Sequence, residues 1–245
     1  MSEKSLLILQ VGTSPQDVRE NFGDLPSWFC RALDRAVETV QIVRVFEDEA
    51  LPPPDPNCPV IITGSWAMVT DLLPWSERTA EWIREAYKLG VPLLGVCYGH
   101  QLMAHALGGR VDYHPLGREV GCQKIILSKN AVQESFFAEF PSEFIAHLTH
   151  EQSVMELPVG AEVLGGSFHD PNQIIRYGPN ALSTQFHPEF TVEINTACLK
   201  RREDVLTSEG KKIDELLSGL KDTPVARNIL SKFVAENSFQ SVGIK

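Results

Sequence analysis

The sequence lacks any run of apolar residues long enough to cross a bilayer, which takes about 20 residues in a helix. The first apolar stretch, residues 6–11, is shorter than the core of a signal peptide, and no small-residue cleavage site follows it. We therefore expect neither secretion nor a membrane partner.

Cysteine is scarce and poorly placed for cross-linking. The five cysteines, Cys30, Cys58, Cys97, Cys122 and Cys198, are odd in number, widely spaced and without a C-x-x-C pair. Such usage argues against a disulfide scaffold and is typical of proteins in a reducing compartment. We therefore expect a cytoplasmic location.

Spacings that would hold a metal ion are also rare. Cys97, His100 and His105 form a C-x2-H-x4-H series. A zinc site normally has four ligands in paired spacings, however, and no second pair accompanies this series. We expect no metal ion at these residues, and the sequence gives no reason to assign a cofactor.

Basic residues are outnumbered by acidic ones. The chain has 22 Lys and Arg side chains and 32 Asp and Glu side chains, which gives a formal net charge of −10. A chain this acidic repels phosphate backbones and anionic lipid, and no cluster of basic residues offsets the repulsion locally. We therefore expect no nucleic-acid partner.

Hydrophobic patterning predicts an α/β fold. Short continuous apolar runs at residues 6–11, 59–63 and 91–96 are typical of strands buried on both faces of a parallel sheet. Helical spacing at residues 25–37 and 75–89 alternates with these runs and with a β-rich stretch. Such alternation predicts a doubly wound, mostly parallel sheet with helices on both faces.

The pattern changes after Gly109. Shorter β-rich segments separated by turn residues follow, with one short helical stretch at residues 131–140, and they predict an antiparallel extension of the sheet. The last strand is expected at residues 181–186. The β-rich segments of the extension are residues 111–127, 144–149, 162–168 and 173–177.

Nothing divides the chain into separate domains: it has no internal repeat, low-complexity segment or linker. We expect a single domain over residues 1–236, with the motif core at about 60–190 and C-terminal helices within 191–236, at residues 192–205 and 225–234. Residues 237–245 carry no periodic pattern and are predicted to form a disordered tail.

The segment Gly95-Val96-Cys97-Tyr98-Gly99 has the form G-x-C-x-G between a predicted strand and a predicted helix. It is the thiol counterpart of the G-x-S-x-G nucleophile elbow, a sharp turn that exposes its central side chain. The N–H groups that begin the helix would favour a thiolate and hold a negative oxygen. By itself the motif fits a buried core cysteine equally well.

The segment Gln185-Phe186-His187-Pro188-Glu189 supplies a possible partner for Cys97. It ends a predicted strand, and the ends of parallel strands converge at one edge of a sheet. Glu189 follows His187 by two residues, so in extended backbone both side chains point the same way. A carboxylate beside a histidine fixes the imidazole tautomer and steadies its positive form. Together the two motifs predict a cysteine–histidine–glutamate set.

GVCYGHQ followed downstream by QFHPE resembles the class I, or triad-type, glutamine amidotransferase family, and in particular its stand-alone GMP-synthase-like members. The similarity extends from the Gly64 loop through Glu189. It implies a flavodoxin-like sheet and hydrolysis of the side-chain amide of glutamine to glutamate and ammonia. Cys97 would be the nucleophile, His187 the general base and then acid, and Glu189 the carboxylate that orients His187.

The resemblance also implies which residues surround these three. The oxyanion hole would combine the N–H of Tyr98 with one from the Gly64-Ser65 turn, and Gln101 would contact the substrate. Residues 149–154, including His150 and Gln152, stand where the family has S-H-x-D-x-V lining the glutamine pocket. Two segments depart from the pattern: Ser65-Trp66 stands in place of glycine–proline, and Gln152 stands in place of aspartate.

The chain has no G-x-x-x-x-G-K-[ST] loop and no segment after Glu189 long enough for a synthetase domain. We expect a glutaminase half that delivers ammonia to a synthase subunit, or a hydrolase of γ-glutamyl peptides. In either case the substrate is a small molecule, glutamine or a γ-glutamyl compound.

Two other classes of protein remain as alternatives to a glutamine or γ-glutamyl hydrolase. Intracellular proteases and chaperones share the fold and the elbow, but the protease-type members place histidine directly after the cysteine, where this chain has Tyr98. A non-catalytic regulatory or binding subunit would keep the fold without turnover.

Overall fold

The computed structural model describes residues 6–237, and a nine-stranded mixed sheet forms the centre of this part of the chain. Two further strands form a small separate sheet. In chain order the strands are β1 (Leu7–Gln10), β2 (Gln41–Arg44), β3 (Val60–Ile62), β4 (Leu93–Val96), β5 (Arg110–Tyr113), β6 (Glu119–Leu127), β7 (Glu143–His150), β8 (Gln152–Glu156), β9 (Glu162–Gly166), β10 (Ile174–Gly178) and β11 (Ala181–Thr184).

The main sheet has the strand order β2-β1-β3-β4-β11-β10-β9-β6-β7. Its first five strands are mutually parallel, and β10, β9, β6 and β7 continue it in antiparallel fashion. Strands β5 and β8 pair antiparallel in the small sheet. This architecture confirms the predicted fold class, a parallel sheet with an antiparallel extension.

Helices cover both faces of the parallel half. Along β1, Ile8 packs in a core cluster with residues of α2 and α9, whereas Leu7 and Leu9 pack in a second cluster with residues of α3 and α4. Strand residues alternate between faces, so each face of β1 serves its own helix layer. The helices of residues 6–237 are α1 (Gln16–Phe22), α2 (Leu25–Ala32), α3 (Pro74–Lys88), α4 (Tyr98–Ala106), α5 (Lys129–Gln133), α6 (Val192–Arg201), α7 (Glu203–Ser208), α8 (Ile213–Ser218) and α9 (Pro224–Asn237).

Side-chain caps mark where two of these helices begin. Asp24 precedes α2 and accepts a hydrogen bond from the N–H of Leu25, and Pro26 occupies the first turn, where its missing N–H costs nothing. Thr191 precedes α6 and accepts from the N–H of Ile194. The second cap matters for function, because it starts a new helix directly after the His187–Glu189 segment.

Several element boundaries differ from the sequence-based expectation. The segment predicted as strand at 111–127 is two strands, because residues 114–118, with Pro115 and a Gly117 at φ 75°, form a turn between them. The helix expected at 192–205 is broken at Arg202, whose φ and ψ of −103° and 14° separate α6 from α7. Helices α1 and α8 and strand β8 were not predicted.

The C-terminal prediction is only partly covered by the structure. Asn237, expected in a disordered tail, is instead the last residue of α9, and residues 238–245 lie outside the described residues. No helix between residues 6 and 237 combines the length and apolar character needed to span a membrane.

The fold brings the two sequence motifs to one edge of the sheet. Strand β4 lies between β3 and β11, and all three run in parallel. Cys97 follows the last residue of β4, Gly64 comes just after β3, and His187 comes just after β11. The convergence of parallel strand ends therefore places all three segments together, as the sequence predicted.

The turn between β4 and α4 has no room for side chains at its glycines. A Cβ at Gly95 would lie 2.4 Å from the carbonyl oxygen of Gly99, and a Cβ at Gly99 would lie 2.3 Å from the carbonyl oxygen of Ile62. Real Cβ atoms do not approach backbone oxygens this closely. Both glycines of G-x-C-x-G are therefore needed for α4 to pack against β3 and β4.

We expect Gly99→Ala to lower the free energy of unfolding by about 1–3 kcal/mol or more, because α4 must move away from β3. Urea denaturation measures the loss. Gly219→Ala is the matched control: Gly219 has an ordinary helical conformation, and a Cβ there would lie 3.2 Å from its nearest neighbour. Equal unfolding midpoints for the two variants would contradict the expected clash.

Candidate active site

Cys97 occupies a strained turn between β4 and α4. Its φ of 53° and ψ of −101° lie in a region that residues with a side chain rarely adopt. Hydrogen bonds hold the turn on both sides: the Cys97 N–H donates to the Thr184 carbonyl at 2.9 Å, and the Gly99 N–H donates to the Thr63 carbonyl at 3.1 Å. The geometry is that of a nucleophile elbow, with Cys97 fixed between strands β3 and β11.

The first residue of α4 supplies a free N–H beside the sulfur. Tyr98 begins the helix, so its N–H has no carbonyl one turn earlier to bond. Its side chain is buried elsewhere, with the hydroxyl 2.7 Å from Ser76 Oγ, and burial raises the pKa of that hydroxyl to about 12. Tyr98 thus offers its backbone, and not its phenol, to the site.

The Gly64-Ser65 turn lies directly against the cysteine and the histidine. A Cβ at Gly64 would lie 3.1 Å from His187 Cε1 and 3.7 Å from Cys97 Cβ. The N–H groups of Gly64 and Ser65 make no hydrogen bond to another residue of the described chain. Together with the Tyr98 N–H, these are backbone donors, unbonded within residues 6–237, on residues adjacent to Cys97.

His187 and Glu189 form a buried pair. His187 Nδ1 lies 2.7 Å from Glu189 Oε1, and since the carboxylate accepts, Nδ1 carries the proton. His187 Nε2 has no hydrogen-bond partner within residues 6–237. The Phe190 ring stacks on the imidazole with 3.9 Å between centroids, which limits how the ring can turn. Nε2 is therefore the nitrogen left for chemistry at Cys97.

The charges around His187 favour its imidazolium form. Burial by itself lowers the pKa of His187, but the negative charges of Glu189 and Cys97 outweigh it and raise the pKa to about 10. His187 and Glu189 are both shielded from water, so the attraction between their charges is weakly screened. The site is therefore arranged to hold His187 as an imidazolium next to Cys97.

A second histidine beside the pair is held neutral. The backbone N–H of His187 donates to the His147 carbonyl at 2.9 Å, and His147 Nδ1 lies 3.0 Å from Asn195 Nδ2, which donates to it. Burial and the positive charge of His187 lower the pKa of His147 to about 4. His147 braces the strand end without competing for the proton, and sequence reasoning did not single it out.

The three residues expected to contact substrate lie together, and their side-chain nitrogens are hydrogen-bonded inside the protein. Gln101 Nε2 donates to the Gln152 carbonyl at 2.6 Å and to Gln185 Oε1 at 2.9 Å. Gln152 Nε2 donates to Thr70 Oγ1 at 2.5 Å, and His150 Nε2 lies 2.9 Å from a Glu119 carboxylate oxygen. Gln101, His150 and Gln152 thus form the wall of a pocket next to Cys97.

Charged residues that sequence reasoning missed line the same pocket. Arg118 pairs with Glu151 at 2.7 Å and with Glu209 at 3.4 Å, and Arg202 Nη1 donates to Thr149 Oγ1 at 2.9 Å. Glu151 had a local signal, since it stands inside the 149–154 segment. The arginines had none, because only the tertiary fold brings them to Cys97.

The other cysteine-proximal histidines have separate partners. His100 Nδ1 lies 2.7 Å from Ser183 Oγ, and complete burial lowers the pKa of His100 to about 3. His105 Nε2 lies 2.9 Å from a Glu77 carboxylate oxygen on α3. The C-x2-H-x4-H series is thus spread over three different environments.

Comparison with known proteins gives consistent matches. Residues 24–202 match the model of the class I glutamine amidotransferases. A glutamine amidotransferase-like protein of Schizosaccharomyces pombe is 31% identical over 157 residues, 62% of this chain and 62% of that protein. A glutamine-hydrolysing GMP synthase of Agathobacter rectalis is 35% identical over 116 residues, 47% of this chain and 21% of that enzyme.

A solved structure shares the fold. A glutamine amidotransferase from Thermotoga maritima superposes with a TM-score of 0.76 at 20% identity, covering 97% of this chain and 100% of that one. At this identity the likeness concerns the fold alone. The matched region spans less than two thirds of the length of the two curated relatives above.

The backbone strain at Cys97 is testable without any substrate. We expect the free energy of unfolding of Cys97→Gly to exceed that of Cys97→Ala by about 1 kcal/mol. Glycine removes backbone strain of about 1–3 kcal/mol, but it also destabilises the fold by about 0.5–1 kcal/mol, because a glycine loses more conformational entropy on folding. Thermal or urea unfolding of the two variants measures the difference. If Cys97→Ala proved the more stable, the turn would not be strained.

The His187–Glu189 pair is testable by NMR titration of the imidazole. The ring should titrate near pH 10, and Glu189→Gln should move the midpoint to lower pH, because the Glu189 charge is a main cause of the raised pKa. Glu193→Gln, at an exposed glutamate four residues on, is the control and should leave the midpoint in place.

The same pair contributes to stability in a defined pH window. The folded pKa of about 10 lies above the ordinary value of 6.5, so the contribution is fully present below about pH 6.5 and is lost as the pH rises through 10. An unchanged His187 midpoint in Glu189→Gln would contradict this account of the site.

Proposed function

The chain belongs to the class I glutamine amidotransferase family, and we propose that it is a thiol hydrolase that cleaves the γ-amide of glutamine or of a γ-glutamyl compound. The observation that carries the proposal is the buried His187–Glu189 pair beside Cys97 at a strained elbow. Nucleophile, proton carrier and backbone donors meet at one sheet edge, which is what acyl transfer from an amide requires.

The first step is attack on the amide carbon. The Cys97 thiolate adds to the γ-carbonyl, and the oxygen of the tetrahedral intermediate accepts hydrogen bonds from the Tyr98 N–H and from the Gly64-Ser65 turn. These donors are fixed before the reaction by the elbow and by the end of β3, so no reorganisation is needed as charge develops. One such donor is worth on the order of 10²–10³ in rate.

The second step is departure of the amine. His187 Nε2 gives its proton to the leaving nitrogen, the carbon–nitrogen bond breaks, and a γ-glutamyl thioester remains on Cys97. His187, now neutral, takes a proton from water, which attacks the thioester and releases glutamate. Glu189 stays ionised throughout, because its role is to hold Nδ1–H and to stabilise the imidazolium.

We assign the pocket beside Cys97 to the glutamyl group. Gln101, His150 and Gln152 would shape its wall, and a carboxylate at Glu151 would face the α-ammonium group of the substrate. This assignment moves ammonium recognition one residue upstream of Gln152, whose amide is bonded to Thr70. Arg118 holds Glu151 in place at 2.7 Å.

The destination of the released nitrogen belongs to the proposal as well. Glutamine-hydrolysing GMP synthases are among the relatives, although the match covers about a fifth of such an enzyme. A synthase subunit that accepts ammonia is therefore the partner to seek if glutamine is the substrate. A γ-glutamyl peptide as substrate would need no such partner.

A hydrolysis screen over glutamine and γ-glutamyl dipeptides, read as glutamate release, tests the proposal. Cys97→Ser should lower turnover by on the order of 10⁴ or more, and Glu189→Ala, which keeps nucleophile and base, by on the order of 10²–10³. Cys58→Ser, a change remote from the site, controls for general thiol effects.

Two results would revise it. Equal loss in Cys97→Ser and Glu189→Ala would mean that Glu189 does more than orient His187. A wild-type protein that binds these compounds and hydrolyses none of them would point to the binding or regulatory subunit.

A further inference from the structure

A second pocket flanks Cys97 on the side of His187. Apolar side chains of Leu25, Trp66 and Phe190 line it, together with Cys97 and His187. The pocket assigned to the glutamyl group lies on the Gln101 side of the same cysteine. The two pockets adjoin each other, because they share five lining residues: Ser65, Trp66, Cys97, Thr149 and Arg202.

Arg202 is the arginine of this region that forms no ion pair in the described part of the chain, although the charge of Glu151 acts on it at longer range. Its Nη1 donates to Thr149 Oγ1 at 2.9 Å, and within residues 6–237 no carboxylate forms an ion pair with it. Arg118, on the same wall, is paired with two glutamates. Burial lowers the pKa of the Arg202 guanidinium, so the fold bears a cost for holding this charge without a partner carboxylate.

The chemistry of the proposed function identifies the second pocket as the leaving-group side. His187 Nε2 delivers the proton to the departing nitrogen, so whatever that nitrogen carries must extend past His187. Ammonia carries nothing and needs no pocket. Apolar walls beside an unpaired guanidinium fit an amine with a short side chain and a carboxylate, because guanidinium pairs with carboxylate through two parallel hydrogen bonds.

We infer that this second pocket is a leaving-group subsite in which Arg202 binds the carboxylate of an amino acid or peptide joined to the γ-carbonyl of glutamate. The inference rests on the proposed function and narrows it to γ-glutamyl amino acids and peptides. The bond balance is unchanged: Cys97 forms the thioester, the γ-amide carbon–nitrogen bond breaks, and the amine leaves with the His187 proton. Water then releases glutamate.

A matched substrate pair isolates the carboxylate. γ-Glutamylethylamide is γ-glutamylalanine without its carboxylate, so the two differ only in the group assigned to Arg202. We expect wild-type kcat/KM to favour γ-glutamylalanine, and Arg202→Gln to lower that preference about 10- to 100-fold, the worth of a hydrogen-bonded charge pair. Arg202→Lys, which keeps the charge but not the planar fork, should give an intermediate preference.

The neighbouring arginine provides the control. Arg201 is exposed and pairs with Asp17 at 2.5 Å, so Arg201→Gln should leave the ratio of the two kcat/KM values unchanged. Thermal unfolding of each variant confirms that it is folded. A wild-type ratio near one, or a ratio that Arg202→Gln does not move, would overturn the subsite. Equal loss on both compounds and on glutamine would place Arg202 against the glutamyl group and overturn it as well.

The two proposals fail differently. If the wild-type protein hydrolyses none of the three compounds, the proposed function is wrong. Calorimetric binding to Cys97→Ala then decides the subsite alone. The subsite is supported if Cys97→Ala binds γ-glutamylalanine more tightly than γ-glutamylethylamide and if the double variant Cys97→Ala with Arg202→Gln loses this difference. Equal binding of the two compounds to Cys97→Ala would reject the subsite.

Discussion

The close contact of α4 with the ends of β3 and β4 is the constraint on which the site depends. It forces Cys97 into a left-handed turn, and two hydrogen bonds tie that turn to Thr184 and Thr63. The strands that hold the turn are also those that lead to His187 and Gly64. Cys97, His187 and the Gly64 turn are thus fixed by one piece of the sheet, and a shift of any one of them requires a shift of the others.

Several of the charged groups at this edge of the sheet differ in sign from the net charge of the molecule. The chain carries a formal net charge of −10, yet two arginines and a protonated histidine surround the cysteine. Burial opposes the imidazolium, and the fold overcomes it with a carboxylate 2.7 Å away that is itself shielded from water. The result is an edge where each of two cations, Arg118 and His187, lies against a carboxylate, while Arg202 forms no ion pair within residues 6–237.

Sequence patterns predicted those parts of the structure that depend on local physics. The buried strand runs before Gly12, Gly64 and Cys97 lie where expected, and the elbow has the close glycine contacts that its motif implies. The partners of Gln101 and Gln152 were not predictable, because an amide near a pocket bonds to whatever the fold presents. Arg202 was not predictable for a similar reason: residues 192–205 have the spacing of one helix, whereas the structure breaks that helix at Arg202, which lines the pocket beside Cys97.

The residues proposed to carry out the reaction and those proposed to select the substrate therefore lie in different parts of the fold. The atoms that would break the amide come from strand ends and from the start of α4, where a displacement disturbs the sheet. The groups that would select the amide come from connections: Arg118 precedes β6, Glu151 joins β7 to β8, and Arg202 lies between α6 and α7. Connections tolerate substitution far better than strand ends do. We therefore expect proteins of this fold that differ in substrate to differ at these three charged positions. The geometry of Cys97, His187 and Glu189 should stay the same.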